Sequence, residues 1–314
     1  MVSITFRVAR FAAAPGALAL WHNGRMFRAA LCIALAGAAA GAVPDFEYDR
    51  RRPFDVRRIG AEERANVVVE DLTFANTTGG RTAAYLIRPA ARPEKGPGIL
   101  YVHWYEPEKP TSNRTQFVEE AAELARKGAV SLLVETMWSE PKWFAQRKRE
   151  NDFAISVQQV KELRRALDLL TAQPDVDPRR IAYVGHDFGA MYGAVLASLE
   201  GKRIHAWALQ AGTTRFSDWF LYGQPRLEGE ARRKFIDELA PLDPIHHIAR
   251  AAPSPVLFQF AHRDFHVPVE RAQLFFEKAA EPKEIRWYEG GHGLDQKAVT
   301  DRETWLAEKL TLRR

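Results

Sequence analysis

Two hydrophobic periods alternate along this chain from residue 66 onward. Residues 66–76 (NVVVEDLTFAN) are β-branched and partly alternating, which predicts a strand. Residues 77–80 (TTGG) form a turn signal, and 81–89 (RTAAYLIRP) predict a second strand pairing back as a hairpin. The runs 97–103 (PGILYVH) and 129–135 (AVSLLVE) are continuously apolar, as expected of strands buried on both faces. Between them 117–127 has the period of an amphipathic helix and stops at Gly128. Residues 157–171 read as helix, and Gln173-Pro174-Asp175-Val176-Asp177-Pro178 breaks it. Strands at 180–184, 204–209, 256–261 and 284–288 follow, with helices at 188–199 and 304–312. This alternation predicts an α/β fold: a mostly parallel central sheet, an antiparallel N-terminal edge hairpin and helices on both faces. The mixed stretch 212–250 predicts a small helical cap or insertion. The domain is therefore expected at 66–314, preceded by an arm at 43–65 and an N-terminal extension at 1–42.

The leader changes how the charge is read. The net charge is +5, but the first 42 residues hold Arg7, Arg10, Arg25 and Arg28 and no acid. Without them 41 basic residues face 40 acidic ones, a nearly neutral body that gives no electrostatic reason to expect nucleic acid as a partner. The five arginines between Arg50 and Arg58 are expected to be solvated. Within the leader, Met26-Phe27-Arg28 precedes a small, apolar run at 29–40, and Ala40-Gly41-Ala42 fits a cleavage site. The run is short for a bilayer span, so a secreted or periplasmic protein without stable membrane insertion is expected, with Met26 a workable start. Cys32, the single cysteine, would leave with the leader, which excludes a disulfide or thiolate metal site in the body.

The chemistry concentrates at Gly185-His186-Asp187-Phe188-Gly189. A buried strand runs into it and a small-residue helix runs out. That is the arrangement of a nucleophile elbow, with glycines where the turn is too tight for side chains. From residue 66 onward the chain resembles the α/β-hydrolase superfamily, and within it the dienelactone hydrolase-like branch. The edge hairpin, the entry Val176-Asp177-Pro178-Arg179-Arg180-Ile181 and the late acid and histidine carry the resemblance. Asp187 departs from it, because that branch has serine or cysteine there. In this respect the chain is similar to the epoxide hydrolases and haloalkane dehalogenases, which also carry Gly-His-Asp but usually have a larger cap than 212–250 provides.

The superfamily order of nucleophile, acid and histidine implies two partners. Asp264 follows the strand at 256–261 and is expected to be the orienting acid. His292, between glycines after the strand at 284–288, is the expected base. The expected oxyanion donors are the backbone N–H groups of Phe188 and Trp104. Tyr105, Glu135, Trp138 and Trp219 are expected to line the pocket, and His103 to shape its own loop. His262 and His266 stand four apart but flank a loop aspartate without a third ligand, so neither metal nor cofactor is expected. An ionised aspartate needs no base to attack saturated carbon, and the enzyme ester it forms then needs activated water. Three functions stay open: such an Asp187 hydrolase acting on a small organic molecule, a carboxylic ester hydrolase, and a ligand-binding member of the fold.

Overall fold

The computed structural model describes residues 43–313 apart from 92, 93 and 224; the expected leader, with Cys32 and the cleavage site, lies outside them. Nine strands form one sheet: β1 (Arg57–Arg64), β2 (Val67–Ala75), β3 (Arg81–Pro89), β4 (Gly96–Val102), β5 (Val130–Val134), β6 (Val176–His186), β7 (Ala206–Gln210), β8 (Val256–Ala261) and β9 (Lys283–Tyr288). Their order across the sheet is β1-β2-β3-β5-β4-β6-β7-β8-β9. Pairings from β1 to β5 through β3 are antiparallel and the rest are parallel. This is the α/β-hydrolase fold.

Helices cover both faces because the parallel strands bury both. In β4, Ile99 and Tyr101 pack toward α1 (Val118–Arg126) and α8 (Gln296–Lys309), whereas Leu100 and Val102 point into the opposite core. That second core is filled by α3 (Asp152–Thr171), α4 (Phe188–Glu200) and α7 (Val269–Lys278). Short α2 (Trp143–Gln146) follows β5, and α5 (Phe216–Phe220) and α6 (Gly229–Leu239) lie between β7 and β8.

The arm at 43–65 is not merely solvated. Its second half forms β1, so the hairpin at 66–89 is not the sheet edge. Every residue of β1 is exposed, and a strand covered on neither face has no apolar alternation to betray it. Pairing of its backbone with β2 makes it a strand. In the first half, Phe46 is buried in the core and Arg50 pairs with Asp168 and Glu200.

A buried polar cluster ties α8 to the sheet close to the elbow. The fully buried Arg302 guanidinium pairs with Glu120 and donates to Gln210 Oε1 (2.8 Å) and Gln259 Oε1 (2.7 Å). The Gln210 carbonyl in turn accepts the Asp187 N–H at 2.9 Å. A charge removed from water needs this full complement of acceptors to be tolerated.

Candidate active site

β6 delivers the elbow and α4 starts one residue after its tip. Asp187 is held at φ 56°, ψ −117°, the left-handed side that L residues avoid. Two close approaches make that turn possible. A Cβ on Gly185 would run into the Gly189 carbonyl, and one on Gly189 into the Val102 carbonyl. The Asp187 side chain stands at the C-terminal edge of the parallel strands, beside the free N–H groups of the α4 N-terminus.

The structure brings Asp187, His292 and Asp264 together. His292 Nδ1–H donates to Asp264 Oδ2 at 2.8 Å, and Asp264 Oδ1 accepts the N–H groups of His266 (2.8 Å) and Val267 (3.1 Å). His292 Nε2 lies 3.9 Å from Asp187 Oδ1, beyond hydrogen-bond length, and both atoms are buried without a partner. The other Asp187 oxygen is engaged: Oδ2 accepts the Tyr105 N–H at 2.9 Å.

Trp104 must be corrected. Its N–H does not face the site but donates to Gln116 Oε1 at 2.8 Å, and the next residue, Tyr105, supplies the backbone donor. Gln116 decides this register. Its amide also donates to His186 Nδ1 at 2.6 Å, which leaves His186 Nε2–H to donate to the His292 carbonyl at 2.9 Å. Trp104 stacks on His186 with ring centroids 4.9 Å apart. The chain Trp104–Gln116–His186–His292 thus fixes both sides of the site. Nothing in the sequence pattern marks Gln116, and His186 is visible only as part of the elbow.

Charge follows from burial and partners. Burial pushes the Asp187 carboxyl up to about 7, against the opposing pull of His292 and of the Tyr105 and Phe188 N–H groups. Burial works against protonated His292, yet Asp264 and Asp187 outweigh it and hold the imidazole above its ordinary value. For Asp264 burial also opposes ionisation, and the His292 and backbone donors still keep it below the ordinary carboxylate value. Burial, with His292 nearby, drives His186 well below its ordinary value, so it stays neutral.

The expected pocket residues divide. Trp219, on α5, is at the site, its ring 5.4 Å from that of His292. Trp138 is core rather than lining: it is fully buried, stacked on Tyr192 at 5.1 Å, and its Nε1–H donates to the His103 carbonyl. Glu135 is also displaced. It pairs with Arg114 at 3.2 Å and lines a separate cleft with Asn76, Gln158 and Glu162, whose walls include neither Asp187 nor His292. The Tyr105 ring packs against Trp143 and Phe144 and its hydroxyl donates to the Pro141 carbonyl, so this residue serves the site through its backbone. His103 shapes its loop: Nδ1–H donates to the Trp104 carbonyl, and Nε2 accepts from Ser139 and Thr136. Among the described residues no group of three or more His, Cys, Asp or Glu side chains is placed to hold a metal ion, and no helix is long and apolar enough to cross a membrane.

No protein-family model matches the chain. The α/β hydrolase domain-containing protein WAV2 of Arabidopsis thaliana is 26% identical to it over 234 residues, covering 69% of this chain and 68% of its own. Among solved structures, the acetyl xylan esterase from Paenibacillus sp. R4 superposes with a TM-score of 0.68 at 17% identity, over 82% of this chain and 90% of its own. A protein of Klebsiella pneumoniae assigned as a dienelactone hydrolase superposes with a TM-score of 0.56 at 15% identity, over 78% of this chain and 98% of its own.

Proposed function

We propose that this chain is a hydrolase of small organic molecules in which Asp187 is the nucleophile, His292 the base and Asp264 the acid that orients the base. One observation carries the reading: the two oxygens of Asp187 are unequal. Oδ2 is fixed by the Tyr105 N–H, whereas Oδ1 is buried, unpartnered and 3.9 Å from the equally unpartnered His292 Nε2. Oδ1 is therefore free to attack carbon. The resulting enzyme ester places its carbonyl oxygen, Oδ2, already on the Tyr105 N–H, with the Phe188 N–H also beside the carboxyl, where the charge of a tetrahedral intermediate develops when water attacks. His292 removes the proton of that water, and Asp264 holds the imidazole in the tautomer this requires.

The same geometry favours one class of bond. In a serine esterase the backbone donors receive the carbonyl oxygen of the substrate; here the oxygen of the aspartate occupies them. A substrate ester would lack that stabilisation, and carboxylate attack on it would give an anhydride. Saturated carbon bearing a leaving group, in an epoxide or an alkyl halide, fits. A second reading draws on the esterase named among the structural neighbours and on the Asp187 carboxyl titrating at about 7: Asp187 would act as a base on water that attacks an ester. Steady-state assays with p-nitrophenyl acetate, styrene oxide and 1-bromobutane separate the two. Turnover confined to the latter two is expected; ester hydrolysis as the main activity would sink the nucleophile reading.

The leader is proposed to direct export, with cleavage after Ala42. The arm that would become the mature N-terminus is anchored, with Phe46 in the core and Arg50 on Asp168 and Glu200. N-terminal sequencing of the exported protein is expected to begin at Val43; a mature chain retaining residues 29–40 would contradict it.

A further inference from the structure

His266 stands beside the reacting atoms without a task in that reaction. Its ring lies edge-on to His292 at 4.9 Å between centroids, 5.4 Å from Trp219 and 5.1 Å from Tyr222. Its Nδ1 is buried with no hydrogen-bond partner, as are His292 Nε2, Asp187 Oδ1 and Trp219 Nε1. Buried polar atoms are nearly always satisfied, so a cluster of orphans around one point marks where a polar ligand sits. One carboxylate positions both imidazoles: Asp264 Oδ2 accepts His292 Nδ1–H and its Oδ1 accepts the His266 backbone N–H, each at 2.8 Å.

We infer that His266 delivers a proton to the atom that departs from carbon, and that the substrate therefore leaves through oxygen, as a strained cyclic ether of the epoxide class does. The inference rests on Asp187 as the nucleophile. Burial first, and then the charge on His292, oppose a proton on His266, while Asp264 favours one. The resting proton therefore belongs on His292, between two carboxylates.

In the first step an Asp187 Oδ1 lone pair forms the bond to carbon, and the ring C–O bond breaks with its electron pair going to oxygen. Ester formation removes the Asp187 charge that favoured protonated His292. The proton from His292 Nε2 then passes through an intervening water to His266 Nδ1, the two nitrogens being unbonded to each other, and His266 gives it to the departing oxygen. This leaves His292 neutral, the state in which it can act as a base. In the second step water attacks the ester carbonyl. One of its protons goes to His292 and the other ends on the released hydroxyl, while Asp187 returns as carboxylate. The sum is addition of water across the ring, with every group restored. A bromide ion departs without a proton, so His266 contributes nothing to its expulsion.

The test compares kcat/KM, which reports the first irreversible step, for styrene oxide and 1-bromobutane in the wild type and in His266→Asn. That variant keeps the backbone N–H bound by Asp264. We expect kcat/KM for styrene oxide to fall about 10²-fold or more and that for 1-bromobutane to stay within about threefold. Equal losses for both probes, or no loss for the epoxide, would overturn the role of His266. A wild-type preference for 1-bromobutane would overturn the assignment to oxygen leaving groups. Absence of an Asp187 adduct from both probes in His292→Gln would overturn the nucleophile reading beneath it, whereas an adduct together with unchanged selectivity in His266→Asn overturns this inference alone.

Discussion

Asp187→Asn is expected to lower turnover by roughly 10⁴-fold or more while stabilising the fold above neutral pH. The two effects have one cause. Asp187 is a charge placed where charge is costly: burial raises its carboxyl from 3.8 to about 7. A group whose folded value is raised in this way contributes full stability only below its unfolded value, and that contribution is lost as pH rises through the folded value. At pH 8 the wild type bears the whole penalty, at most about 4 kcal/mol for a shift of about three pH units. Asparagine escapes it. Its amide oxygen accepts the Tyr105 N–H as Oδ2 does now, and its amide nitrogen faces His292 Nε2. Thermal melts at pH 4 and pH 8 check this: Asp187→Asn should melt higher than wild type at pH 8, by roughly 5 °C or more, and show little advantage at pH 4. A variant equally stable or weaker at pH 8 would mean that Asp187 is not a strained, desolvated charge. Retained turnover would remove it as nucleophile.

Much of this fold was readable because its strands are buried on both faces and punctuated by glycine and proline. The runs around Leu100, Leu132, Val184 and Leu257 are all core strands. What escaped notice had no hydrophobic signature. β1 is exposed along its whole length, so its residues look like any solvated arm. At the site, Asp187, Asp264 and His292 stand at strand ends next to glycines or in short loops, and their convergence follows from the order of parallel strands. The choice of Tyr105 over Trp104 does not. It depends on a single side chain, Gln116, capturing one backbone N–H twelve residues earlier, a contact that no local pattern announces. Glu135 and Trp138 illustrate the converse. The end of a parallel strand faces the site only on average, and here the loop after β5 turns Trp138 into the core and Glu135 toward Arg114. Likewise, His266 looked like half of an incomplete metal pair, although its ring lies against His292 and Trp219.

His292→Gln is expected to divide the reaction at its midpoint. For a haloalkane the first step belongs to Asp187 Oδ1 alone, and glutamine leaves that oxygen in place; an epoxide also loses the proton that His292 supplies, so its ester forms more slowly. The second step needs a base for water, and an amide is not one. Steady turnover should therefore fall about 10³-fold or more after a burst of one equivalent per chain, with the enzyme accumulating as its Asp187 ester. Intact mass identifies the chemistry, because an opened epoxide adds its entire mass whereas a haloalkane adds only its alkyl group. Peptide mapping should place the addition on Asp187. Glutamine keeps a polar side chain of similar reach and no basic nitrogen, and Asp264, losing its 2.8 Å imidazole partner, keeps its two backbone donors. The pH dependence adds an independent check. Attack requires ionised Asp187, so ester formation rises with pH through the carboxyl titration, at about 7 in the wild type. The charge on His292 lowers that value, and its removal must move the midpoint upward. With 1-bromobutane, a midpoint that falls, or full inactivity without an adduct at pH 9, would show that His292 acts before the covalent step rather than after it. Asp187 would then be working on water as a base, and the ester reading would take its place.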